Sequence, residues 1–187
     1  MQQNRKSWAV KDTALLTELV EMLEVTEVEA GLLGELQGAA RELAPTLVDA
    51  FYNRLLEHEN TAEYLQGKDM QRLHGAVGDW FVALFSGNYD EAYVRQRLKI
   101  GQIHVQIGLP IRYPLAMLDV ILAYGEFVAQ QSSRRIQAVT ALQKVIALDV
   151  AIFNQAYEDY QIQHLANLVG NERLARRLLS ARSLGEV

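Results

Sequence analysis

From Arg134 to Leu168 the chain holds neither proline nor glycine, and its centre, VIALDVAIF, sets apolar side chains on nearly every side of a helix. A helix that is apolar all round must be buried against more than one neighbour. The fold therefore has to be a helical assembly built around this segment, with a second copy of the chain expected as one of the contacts. The rest of the sequence agrees: three prolines in 187 residues, few β-branched clusters and long stretches of 3.6-residue apolar spacing leave no segment that reads as a strand. The expected class is all-α.

Local signals place the other helices. A first runs from about Val10 to Leu23. Thr26-x-x-Glu29 has the form of a capping box that opens a second, continuing to about Glu42, and Pro45 suits the first turn of a third. That third helix carries Leu47, Val48, Phe51 and Leu55 at helical spacing, with Tyr52 beside the stripe, and ends near His58. Asp69 can cap a fourth, Met70 to Phe85, stopped by SGNYD. A fifth carries His104 and breaks at Gly108 and Pro110; a sixth runs from about Pro114 to Gln131, and Ser132-Ser133 turn the chain into the long seventh. Gly170 ends that helix and Asn171 can cap a short one after it. Half the residues are hydrophobic, enough for one sizeable core, so residues 1–168 are expected to form one domain and 169–187 a short C-terminal helix or the start of a linker.

Composition removes several functions. Cysteine is absent, which excludes disulfides, thiolate metal sites and cysteine nucleophiles. The net charge of −5, with dispersed lysine and arginine, argues against a nucleic-acid partner. No uninterrupted apolar run reaches the roughly 20 residues of a membrane span, and MQQNRKSW lacks a signal-peptide core, so a cytoplasmic protein is expected. HExxH, histidines paired at i and i+4, and a glycine-rich phosphate loop are all missing, and the few serines sit at helix ends. No hydrolase or zinc enzyme has a foothold.

One residue stands apart. In LKIGQIHVQIGLPIRYP, His104 lies among isoleucines with Gly101 and Gly108 about one turn to either side. Glycine inside a helix costs about 1 kcal/mol relative to alanine, so the pair asks for close packing as compensation, by a crossing helix or by a flat cofactor. Either a hydrogen-bonded core histidine or a metal ligand suits this segment.

VDAFYNRLLEH (48–58) and DWFVALFSGNYDEAYVRQRLKIGQIHVQIGLPIRYPLAMLDV (79–120) break that tie, because together they resemble the sensor domain of globin-coupled sensors, bacterial haem-based gas sensors. The resemblance covers most of the chain and rests on the aromatic pair Phe51-Tyr52, a Trp/Phe-rich helix, Arg97, and IxxIHxxIGLP. It implies a globin fold with an extra N-terminal helix, packed around a haem pocket. His104 would be the proximal ligand to the iron of haem b, and Tyr52 the distal tyrosine that donates a hydrogen bond to O2. Leu73, Ala76, Val77, Trp80 and Phe81 would cross the distal side, with Ile100 and Tyr113 near His104; His74 is either a solvent-exposed histidine or a second axial ligand. His58 and His164 read as surface residues.

The family further implies a homodimer through the sixth and seventh helices, with Val145 to Phe153 as a suitable contact, and a C-terminal or separate output domain, often a diguanylate cyclase, which is not expected within these 187 residues. The expected function is a gas sensor, most naturally of oxygen, that signals by helix rearrangement and is not itself an enzyme. Two other functions compete with it. A haem-free globin-like scaffold that binds a protein partner would be expected to lack the proximal histidine, and a nitric oxide dioxygenase would need a reductase.

Overall fold

Side-chain caps set where several helices begin. Thr26 Oγ1 accepts from Glu29 N–H (3.2 Å) while the Glu29 carboxylate accepts from Thr26 N–H (3.0 Å), closing the expected box. Asp69 accepts from Arg72 N–H (3.1 Å), Asp90 from Tyr93 N–H (3.0 Å) and Asn171 from Leu174 N–H (3.0 Å). Each supplies an acceptor for an otherwise orphan helix-end donor.

The computed structural model describes Val10 and residues 13–180. The described residues form α1 (Thr13–Leu23), α2 (Glu27–Gly34), α3 (Gln37–Leu56), α4 (Glu59–Ala62) followed by a single 3-10 turn, α5 (Met70–Ala83), α6 (Glu91–Gln106), α7 (Arg112–Ala116), α8 (Leu118–Ala129), α9 (Arg135–Val169) and α10 (Glu172–Ser180), with no strand among them. Residues 11–12 of the expected first helix, and 181–187 of the tail, lie outside the described residues.

Three boundaries differ from expectation. The second helix stops at Gly34 and not near Glu42, because the chain turns at Glu35-Leu36, where Leu36 N–H donates to Leu33 carbonyl (2.9 Å). The corner lets Leu32, Leu33 and Leu36 all face the core, and the backbone of Gly87, in the loop after α5, presses against Gly34. Pro45 consequently sits inside α3 rather than at its start. It cannot donate to the Arg41 carbonyl, but both residues are on the exposed face, where water can serve that acceptor. Met117 further divides the expected sixth helix into α7 and α8.

α9 is the axis of the molecule. It packs against α1, α2, α6, α8 and α10, while α3 lies between α5 and α8. By length and composition α9 could cross a membrane, but much of its apolar surface is used by these neighbours. Val145, Ile146, Leu148, Asp149 and Ile152 are all buried within the single chain, so the segment expected to reach a second copy is largely consumed by intramolecular packing. The main core joins α2, α3, the end of α5, α8 and the first half of α9, and includes Leu33, Leu47, Tyr52, Phe81, Ile121 and Leu142. A smaller cluster places Leu16 of α1 against Val94, Leu148 and Ile152.

Candidate functional site

Tyr93, Arg97, Gly101 and His104 recur at intervals of four, four and three, so they form one stripe along α6, and the contacts of all four reach α9. At Gly101 a Cβ would lie 2.6 Å from Ala156 Cβ and 3.2 Å from the Phe153 carbonyl oxygen. Its missing side chain is explained by a close helix crossing. Gly108, at φ 70°, serves differently, by taking the left-handed conformation that ends α6.

His104 is partly buried, its ring edge-to-face with Phe153 at 5.4 Å. Nδ1 lies 2.7 Å from the Ile100 carbonyl, which can only accept, so Nδ1 carries the proton and donates. Burial holds the imidazole below its usual pKa, against the opposing pull of that hydrogen bond. The result is a neutral ring whose Nε2 lone pair has no partner among the described residues. A ring fixed through one nitrogen and open at the other is prepared for a metal. Among the described residues no three His, Cys, Asp or Glu side chains converge as a cage; an ion held by His104 must therefore bring other ligands with it, as iron in a macrocycle does.

Tyr52 sits on the inner face of α3, 5% exposed, and its hydroxyl has no hydrogen-bond partner among the described residues. Burial pushes its pKa up to about 12, so it stays a protonated donor. Its ring stacks on His74 of α5 at 4.5 Å and meets Phe51 edge-on at 5.4 Å. His74 is half-buried, not a free surface histidine, and with Arg41, Val48, Asp49, Gly78 and Asp79 it lines a groove of about 460 Å³ between α3 and α5.

The other expected residues divide. Leu73 and Val77 are partly buried against the main core that includes Tyr52; Ala76 is exposed. Phe81 is fully buried and edge-on to Phe85 at 5.6 Å. Trp80 donates its indole N–H to Asp149 Oδ2 (2.8 Å). Ile100 supplies the carbonyl that orients His104, and Tyr113 accepts from Arg112 Nη2 (3.2 Å), its ring 6.4 Å from that of Tyr64. Tyr52 and His74 thus form one group and Ile100, His104 and Phe153 another, with no hydrogen bond or ring contact between the groups. His58 and His164 are exposed, as expected.

The sequence reading passed over Asp149. This carboxylate is buried and accepts from Arg97 Nε through both oxygens (3.2 and 3.0 Å), from the Tyr93 hydroxyl and from Trp80. The Arg97 guanidinium lies 4.1 Å from the Tyr93 ring centroid. Burial pushes the Asp149 pKa up, while Arg97, Tyr93 and Trp80 pull it down. A lone acid inside VIALDVAIF was the available signal, since a buried charge requires a partner.

Comparison with known proteins bears on the family and the fold. The family model described as Protoglobin matches residues 12–162. The heme-based aerotactic transducer HemAT of Halobacterium salinarum (strain ATCC 700922 / JCM 11081 / NRC-1) is 28% identical over a match covering 65% of this chain and 28% of that protein. The chain thus spans little more than a quarter of that relative's length. Among solved structures, the globin domain of the Geobacter sulfurreducens globin-coupled sensor is similar with a TM-score of 0.70 and 32% identity, covering 75% of this chain and 96% of that one.

Proposed function

The chain belongs to the protoglobin family, and from that premise we propose that it is a haem-based gas-sensing domain that reads oxygen and signals through its helices to an output module, in the same chain or separate from it. The observation that carries this reading is His104: neutral, tied through Nδ1 to the Ile100 carbonyl, and free at Nε2. Haem b held by that nitrogen would supply an iron able to bind a diatomic gas. The residues around it then act by simple means. Tyr52 offers a phenol proton with no competing acceptor among the described residues, worth about 1–3 kcal/mol to a ligand that carries partial negative charge, or roughly one to two decades in affinity. Carbon monoxide, a poorer acceptor, gains less. Leu73 and Val77 keep water from the distal side.

As a regulatory device the domain is expected to pair. We assign the pairing to α8 and α9, but through Phe127 (61% exposed) and Ile136 (82% exposed), since the Val145–Phe153 run is occupied within the chain.

The test is the ultraviolet-visible spectrum of the purified protein, reduced and then exposed to oxygen, beside His104→Ala and Tyr52→Phe. A Soret band that is lost in the first variant, and an oxygen dissociation rate raised roughly ten-fold or more in the second with carbon monoxide little changed, are expected. A folded chain that stays colourless when given haem would refute this and leave a haem-free signalling scaffold in its place.

A further inference from the structure

The firmest hold on the His104 helix lies two turns before the histidine. Arg97 (2% exposed) and Asp149 (5%) are buried together. The guanidinium reaches both carboxylate oxygens through Nε and donates from Nη2 to the Trp80 carbonyl (3.3 Å), while Tyr93 and Trp80 satisfy the rest of the carboxylate. Sliding or rotating this half of α6 over α9 would part a buried ion pair and strand its donors, which is strongly opposed. One turn further, Gly101 is seated against Ala156.

Beyond Gly101 the hold changes in kind. The end of α6 meets α9 through the His104–Phe153 ring contact and through Tyr157, whose hydroxyl donates to the Leu109 carbonyl (2.9 Å). Ile103 and Ile107 on this end are exposed, leaving room for it to swing. α6 packs on α9 and on α1 and has no extensive interface with α8. Glu158, next to Tyr157, pairs with Arg176 of α10 (3.3 Å).

We propose that Asp149 and Tyr157 are positioning residues for the His104 helix: Asp149 pins its first half to α9, Tyr157 ties its C-terminal end, which also receives a hydrogen bond from the Tyr64 hydroxyl at the Gly108 carbonyl (3.3 Å), to the same helix, and displacement of His104 is therefore delivered to the Phe153–Tyr157 part of α9 and on to α10. A route through the Gly108–Pro110 joint into α8 is secondary. The inference rests on His104 being an iron ligand, and spatial adjacency becomes coupling only when a perturbation shows it.

Amide hydrogen exchange on the haem-loaded, ferrous full chain, with and without carbon monoxide, decides the matter. Protection in 153–160 should change by about three-fold or more on ligand binding, with smaller changes in 138–148 and in α8. In Tyr157→Phe, which deletes one oxygen and spares the packing, the response at 153–160 should fall by about half or more with carbon monoxide still bound. In the paired variant Arg97→Leu/Asp149→Leu, once far-UV circular dichroism shows it folded, the response should spread into 138–148. A larger response in α8 than in 153–160, an undiminished response in Tyr157→Phe, or a response still confined in the folded paired variant overturns the proposal. Failure of the underlying reading looks different: no Soret band forms. Apo-protein exchange then still reports Tyr157, because faster exchange at 107–109 in Tyr157→Phe supports its positioning role and unchanged exchange refutes it.

Discussion

Replacing Gly101 with alanine tests the α6–α9 crossing through the sign of its effect. In an open helical position the change stabilises, by about 1 kcal/mol. Here the new Cβ would stand 2.6 Å from Ala156 Cβ and 3.2 Å from the Phe153 carbonyl oxygen, well inside the roughly 3.5–4.0 Å of ordinary carbon contact. Overpacking of this sort costs about 1–3 kcal/mol, and the upper end applies because neither obstacle is a flexible side-chain tip. Subtracting the propensity gain leaves a net loss of about 2 kcal/mol, a fall in Tm of about 4–8 °C for a chain of this size. Ala156→Gly should cost about 1 kcal/mol alone. Combined, the two substitutions move one methyl across the interface and should return stability near wild type, a coupling of about 3 kcal/mol. Urea unfolding of the four proteins, followed by far-UV circular dichroism, measures the cycle. A Gly101→Ala protein as stable as wild type or more so would mean that no helix presses there, and the account of the α6 stripe would fall with it.

Three further outcomes are expected. Asp149→Asn leaves Arg97 buried without its counter-charge and should destabilise by about 3 kcal/mol, read as a lower urea midpoint at unchanged slope; a midpoint near wild type would mean that the pair is not buried. Burial raises the Glu29 carboxyl, but the bonds from Lys144 and Thr26 outweigh it and hold the pKa below 4.5. The unfolded state then binds the proton more readily, so this group's contribution is complete above about pH 4.5 and is lost as pH falls through the lower folded value. Glu29→Gln should flatten that acid limb in a series of urea titrations, and an unchanged limb would count against the Lys144 contact. Ile136→Glu should convert the proposed dimer to monomer by sedimentation at tens of micromolar, roughly the range where weak pairing appears; a wild-type chain monomeric at that concentration refutes the pairing.

What the sequence disclosed is what is decided within a few residues. Thr26, Asp69 and Asn171 cap as expected because a cap and its orphan donors are neighbours, and Gly108 ends α6 by its own backbone. The corner after Gly34 was hidden, since its causes are the burial of three leucines at once and a loop more than fifty residues away. The two glycines beside His104 were rightly seen to need a reason, but only the structure distinguishes a crossing at Gly101 from a terminator at Gly108. Tyr52 is singled out by its motif alone. That His74 stacks on it depends on the rotation of α5, which its apolar pattern fixes too loosely. Asp149 shows the opposite case: the odd residue was in plain view, and its partner Arg97 lay 52 positions away.

The cluster that holds α1 is separate from the main core. Leu16 meets Val94, Leu148 and Ile152 beside the seam where Arg97 and Asp149 lie, while α2, α3, α5 and α8 bury their leucines and phenylalanines elsewhere. Cohesion of this kind is divided into tiers, and a tier with few contacts opens before the molecule as a whole. Detachment of α1 would strip apolar cover from the α6–α9 seam without dissolving the rest. Limited proteolysis should therefore release the N-terminal helix first, and anything that grips or withdraws that helix gains a handle on the seam from outside.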